Sequence, residues 1–372
     1  GGRYPLPRRQ PQAHQAQGLA PMMSRDQLEQ AIHDGEIIAN EDLSGADLAG
    51  VTLAGGIFRG VRFDRANLSG ASFRESILEG VTFTAANATG LDLSHTALLG
   101  CDLSGAQLQD AKFFFSQLTN PLLRDADLSG ASLVKTVMNA PNLSKALLTR
   151  VILDRSIMLN PILKAADLSN ASLSNVILLG VDMSGANCAG MTASQTMFQD
   201  GTMPGLDFSG LSITACQLRN CKLSGARFVK GNLERSGFMG ADLEKADFSG
   251  ANLANTVFSG ATLTQANFSG ATLTQAHFQE AKLRNAQFNA AKLEMAGFKD
   301  ADCTGASFRG ADLTYVDFSH AILDTADLSD TTLLQARLHA VSENATRWPA
   351  GKVLARGTDP DRLEAEQWRP AT

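Results

Sequence analysis

Residues that could carry chemistry are sparse in this chain, and their spacing does not suit it. The six histidines are His14, His33, His95, His277, His320 and His339. No two stand at the spacing that sets a pair of imidazoles on one helix face, and no HExxH occurs, so no metal site is read. His277 lies just before Phe278 and reads as a solvated residue. The five cysteines, Cys101, Cys188, Cys216, Cys221 and Cys303, are odd in number and contain no CxxC pair. That argues against a disulfide framework and against a zinc site. Asp often stands just before Leu or Phe, where its carboxylate would bond a nearby backbone N–H or water rather than share a proton with a second acid. No GxxxxGKS phosphate loop is present. The expectation is a protein that is not an enzyme, with no catalytic residue, no cofactor and no metal.

What organises the chain is a period of five, which neither a helix nor a plain strand produces. From Leu43 to Leu338 every fifth residue is Leu or Phe, with a few uncharged exceptions: Met138, Met158, Met183, Met203, Ile213, Cys188, Cys303, Ala88 and Ala193. Seventeen of the nineteen Phe residues share this register, so the phase is real. Two residues earlier stands something small, usually Ala. Between 42 and 341 all 23 basic and 28 acidic residues avoid both classes. Burying unpaired charge is costly, so two positions in five point inward and three outward.

A second period of twenty shapes the cross-section. Ser76, Thr96, Ser116, Thr136 and Ser156 form one series of small inward residues, and Pro121, Pro141 and Pro161 continue another with Val61, Val81 and Val181. Four pentapeptides therefore make one turn, and residues twenty apart stack in columns. The structural core of the most regular stretch is Phe228, Phe238, Phe248, Phe258, Phe268, Phe278, Phe288, Phe298, Phe308 and Phe318, expected on two opposite sides with Leu on the others. Sixty pentapeptides give about fifteen coils and, at the strand spacing of roughly 4.8 Å, a rod about 70 Å long. A Pro lacks a backbone donor, so the stacked prolines are expected to weaken coil-to-coil hydrogen bonding locally.

The domain plan follows. Residues 1–22 read as a disordered linker or tag. Residues 23–40 form an N-terminal capping helix, with Ser24 as N-cap and Gln27 at the capping-box position. The repeat spans 41–341, and 342–372 form a C-terminal cap and tail. There Trp348 would plug the last coil, and Asp359-Pro360 would start a helix. Net charge is −6, weak evidence against broad nucleic-acid binding. No apolar run is long enough to span a membrane and 1–22 lacks a signal-peptide core, which places the chain in the cytoplasm or in a signal-peptide-independent export route.

The units ADLSG (126–130), ADFSG (246–250), ANFSG (266–270) and ADLSD (326–330) resemble the pentapeptide-repeat family. The resemblance implies an all-β fold, a right-handed quadrilateral β-helix whose central Leu/Phe and small residue face inward. The opening SRDQLEQAIHDGEIIANEDLSGADL also resembles the junction before repeat tails in some bacterial proteins linked to type VI secretion.

The functional clue is apolar residues at outward positions. Ile57, Ile77, Val137, Ile157, Ile177 and Met197 lie in one column, and Leu99, Leu159 and Leu179 lie on the same face two residues on. Leu122, Leu147, Ile152 and Ile162 occupy other faces of the same middle coils. Such a stripe is a candidate contact surface for a protein partner or for self-association. The competing reading is cover by the chain's own termini. The expected function is a protein-interaction scaffold, with a secretion-associated adaptor or effector as its narrower form. The alternative, implied by the family, is a DNA mimic acting on gyrase or topoisomerase.

Overall fold

The computed structural model describes residues 23–350 and 354–368; the segment 1–22 and the last four residues lie outside that range. Helix α1 (Arg25–His33) begins at Ser24, whose hydroxyl accepts from Gln27 N while the Gln27 side chain accepts from Ser24 N. Its apolar stripe, Leu28 and Ala31, is buried on the first coil. Arg25 fixes the docking by donating to the Ala49 and Gly50 carbonyls. This charge-assisted clamp covers the open edge of that coil.

From there the backbone winds in coils of twenty residues paired in parallel. On one side, three-residue strands from Ile37–Ala39 to Met197–Gln199 form a nine-stranded sheet, in the register Ile37↔Ile57, Ile57↔Ile77 and so on. A second face carries a three-stranded sheet at Ser172–Ser174, Thr192–Ser194 and Ser212–Thr214. Elsewhere the same pairing continues as single-residue bridges, as far as Asp327↔Arg347 and Arg337↔Arg356. Extended strands alone thus mark nine coils, while the bridges carry the winding through the full run of repeats. We number the faces one to four by their first central residues, Leu43, Leu48, Leu53 and Phe58.

The period of five has a backbone cause. Every fifth residue, from Gly35 to Ala345, has positive φ. That left-handed corner turns the chain onto the next face. Gly tolerates it freely, whereas Lys145 (φ 58°) and Arg155 (φ 55°) hold it against steric strain of about 1–2 kcal/mol. On most faces the corner is closed by a turn bond such as Ala66 N to the Phe63 carbonyl, 3.1 Å.

The stacked prolines do not act as expected. Coil-to-coil bonds persist around them: Asn142 N donates to the Pro121 carbonyl (3.0 Å), Ile162 N to Pro141 (2.9 Å) and Asp182 N to Pro161 (3.0 Å). The donor a proline lacks belongs to the turn within a coil. On face four that turn bond is absent also at Val61, Val81 and Val181, and the chain there runs as extended strand. Proline therefore favours the extended corner without loosening the ladder.

Inside, Leu and Phe meet from four sides. From 228 to 318 the Phe rings form two columns on faces two and four, with stacked neighbours such as Phe248–Phe268 at 4.9 Å and 2° and edge contacts between columns such as Phe258–Phe268 at 5.6 Å and 81°. These are favoured offset-stacked and T-shaped geometries. Beside the rings, small hydroxyls are buried in pairs with carbonyls one coil back: Thr96 to Phe73 at 2.7 Å, Ser116 to Leu93 at 2.6 Å, Thr136 to Phe113 at 2.5 Å. Trp348 packs half-buried against the last coils, followed by α2 (Pro360–Gln367) with Asp359 as N-cap.

Candidate functional site, an apolar solenoid face

Face four exists because the extended corner keeps residues i−1 and i+1 of each pentapeptide in one pleated surface, with the central residue turned inward. Its sheet aligns Ile57, Ile77, Ala97, Gln117, Val137, Ile157, Ile177 and Met197 in one column and Leu99, Thr119, Asn139, Leu159, Leu179 and Gln199 in the next. All nine sequence-selected residues are thus brought onto one surface. Ile77, Leu99, Val137 and Met197 are 43, 42, 40 and 36 % exposed; Ile57, Ile157, Leu159, Ile177 and Leu179 are half-buried by their neighbours. Among the described residues nothing folds back over this face: α1 packs against the first strand, and α2 sits at the opposite end. Leu147, Ile152 and Ile162 are exposed on the other faces, outside the stripe.

The corner column between faces three and four was not singled out from sequence, although the same count of twenty finds it. His95 stacks on Phe115 at 5.1 Å, and Lys135 Nζ lies 4.7 Å from the Phe115 ring centroid. Arg155 follows, 3.7 Å from Asp154 and still 62 % exposed. Phe115 is 49 % exposed. One edge of the apolar face is therefore a stack of ring and cation, held by stacking and cation–π attraction.

The Asp residues before Leu or Phe bond the backbone, as their placement implied. Asp207 accepts from Ser209 N and Asp327 from Ser329 N, at 2.9 and 3.0 Å. Hydrogen bonds from those serines hold both carboxyls below the usual range. All five cysteines are buried and free, and burial pushes the Cys188 and Cys221 thiols up to about 12, which makes them poor nucleophiles.

A further cluster was not legible in sequence. His320 and His339 both place Nε2 3.1 Å from Oε2 of Glu366 on α2, and Arg362 Nε donates to Oε1 of the same carboxylate at 2.7 Å. Two histidines and a carboxylate resemble a metal set, but Asp359 N donates to His339 Nδ1. The proton of a neutral His339 then sits on Nε2, directed at Glu366, where a metal would need a lone pair. The cluster reads as a clasp holding α2 on the final coil.

Models of pentapeptide repeats match residues 42–80, 76–113, 116–158, 162–200 and 296–330, and a model of the pentapeptide repeat region matches 211–288. Among solved structures, the chain is similar to HetL from the cyanobacterium Nostoc, a pentapeptide repeat protein involved in heterocyst differentiation regulation. Identity is 24 %, covering 78 % of this chain and 95 % of that one, with a TM-score of 0.30. It is also similar to QnrB1, a plasmid-mediated fluoroquinolone resistance protein, at 16 % identity over 52 % of this chain and 94 % of that one, TM-score 0.30. A search of curated proteins finds no match. The family models cover more than half of the chain, and the chain belongs to the pentapeptide-repeat family.

Proposed function

We propose that this chain is a non-enzymatic scaffold that binds a protein partner through face four. The observation that carries the reading is the unbroken register of that face, which turns apolar residues twenty apart in sequence into one surface left open among the described residues. An exposed apolar strip of this kind marks an interaction site in a soluble protein. Cytoplasmic action belongs to the same proposal; no helix among the described residues is long and apolar enough to cross a membrane. The narrower reading, the repeat module of a secretion-associated adaptor or effector, rests on the junction at 24–48 alone.

The charge pattern disfavours the DNA-mimic alternative. Duplex DNA carries a negative charge about every 1.7 Å of axis. Here residues 111–165 hold seven basic against three acidic residues, so the fourth to seventh coils have the opposite sign.

The test is a photo-crosslinking residue placed at Ile157 or, as control, at Val229 on face two, in the full chain inside cells. Adducts from Ile157 that are absent from Val229 are expected. The same adducts from both positions, or none from Ile157, would overturn the reading. Gyrase supercoiling assayed with added protein addresses the alternative, for which inhibition or protection is required.

A further inference from the structure

The scaffold reading leaves the partner's chemistry open, and the following rests on that reading. We propose that face four receives an acidic amphipathic α-helix lying along the solenoid axis, with its apolar residues on the Val137–Ile157–Ile177 and Leu159–Leu179 columns and its acidic flank along Lys135 and Arg155.

Four observations converge on this occupant. The first is width. Each strand of the face is three residues, about 10 Å, which matches the roughly 10–12 Å diameter of a helix with its side chains. The second is pitch. Successive coils are spaced about 4.8 Å apart and successive helix turns about 5.4 Å, so one apolar residue per turn stays within about 3 Å of register over five coils. Two apolar columns two residues apart match the i, i+3/i+4 stripe of such a helix.

The third is charge. On face four and its two edges the charged residues of the central strands are Lys135 and Arg155, the latter beside Asp154, whereas Glu75 and Glu79 stand toward the first coils, Glu79 paired with Arg59, and Asp200 stands at the last strand. An acidic ligand is attracted to the middle and repelled at both ends, which sets its position along the axis. Lys135 and Arg155 lie on one edge of the face only, and that asymmetry sets the helix's rotation. The fourth is area. Nine strands at about 4.8 Å by about 10 Å project a strip of roughly 400 Å², about 43 Å long and one helix wide, the footprint of a single helix lying along the axis.

The probe is a fluorescent synthetic peptide of about 18 residues, roughly 27 Å as a helix, with Leu on one face and Glu on the other. Its counterpart carries Lys in place of Glu. Fluorescence anisotropy with the full chain is expected to show the Glu peptide binding at least about tenfold more tightly, about 1.4 kcal/mol, with the preference shrinking as salt rises. Lys135→Glu with Arg155→Glu should reverse the preference. Ile157→Ser with Ile177→Ser should weaken both peptides while keeping the preference. Wild-type amide-exchange protection at Phe238 and Phe258 shows that each variant is folded.

Equal binding of the two peptides, binding of neither, or tighter binding of a DNA duplex of similar length would overturn the proposal. So would a dimer in sedimentation that Ile157→Asp dissociates. If the peptides fail while Ile157 still crosslinks a partner in cells, the scaffold stands and only the acidic helix falls. If crosslinking fails as well, both fall.

Discussion

The coils from 228 to 318 and those from 118 to 183 share one backbone register and differ in almost everything attached to it. In the first, Phe columns stack at 4.7–5.2 Å and edge-on contacts knit the two columns together. In the second, no inward Phe occurs between Phe113 and Phe198. Leu and Met fill the interior there and leave a narrow void lined by Leu148, Met158, Leu168 and Leu178. The outer surfaces invert this difference. The Phe-filled coils present mainly Ser, Thr, Gly and mixed charge on the outside, with Met239, Met295 and Tyr315 exposed singly, and the Leu/Met coils present Ile and Leu. Flat stacked rings fit a core that is the same at every level, while flexible Leu and Met accommodate coils whose corners and outer columns vary. A run of stacked rings and a segment with an apolar outer face can thus be written on one template without breaking the hydrogen-bond ladder.

The largest expected effect tests the cores. Phe268→Ala removes a ring stacked at 4.9 and 4.8 Å on two others and should cost about 3–5 kcal/mol. Met158→Ala, beside an existing void, should sit near the lower end of the roughly 2–5 kcal/mol range for such truncations. Because a repeat array opens locally, amide exchange in neighbouring coils is the measurement, and equal losses of protection would erase the distinction.

A paired proline exchange tests the corners. Ala246 N donates to the Leu243 carbonyl at 3.0 Å, so Ala246→Pro loses a turn bond in the shaft and should cost about 1–3 kcal/mol, an unpaired buried carbonyl's worth. Pro141→Ala should change protection by less than about 1 kcal/mol, since its column forms no such bond in the coils from Val61 to Gly201. A large effect at Pro141 would mean that proline holds the extended face in place. Thr136→Val tests the hydroxyl ladder; losing its bond to the Phe113 carbonyl should cost about 1 kcal/mol in thermal or denaturant unfolding of the middle coils.

Arg155→Gly should sharpen function against stability. Relief of its left-handed corner should leave stability unchanged or raise it by up to about 1 kcal/mol, while affinity for the Glu peptide drops. At the far end, hydrogen bonds from His339 and Arg362 lower the Glu366 carboxyl to about 2. A depressed carboxylate stabilises the docked α2 above its unfolded pKa near 4.3, and that stabilisation is lost as pH falls through about 2. Exchange protection of α2 should therefore persist at mildly acidic pH and fade below about 4; a loss beginning near neutrality would assign the docking to other contacts.

Much of this was legible in the residues. Charge excluded from two positions in five placed the core, and the count of twenty placed Ile57 through Met197 on one face before any coordinates. The prolines were misread because their effect depends on which donor the corner uses, a property of the turn geometry. The Lys135–Phe115 stack was countable but concealed among ordinary polar corners. The His320–His339–Glu366 clasp was beyond counting, since Glu366 lies outside the period and reaches the histidines only when α2 docks.

The sequence by itself determined the register, the inward and outward classes and the four-sided stacking, because a strict local period leaves the backbone one way to repeat while burying apolar residues. Tertiary structure alone decided which face runs as extended strand, which outward residues remain open and how the chain's far end closes. Those depend on hydrogen bonds and packing between residues twenty or more positions apart, which no local pattern specifies.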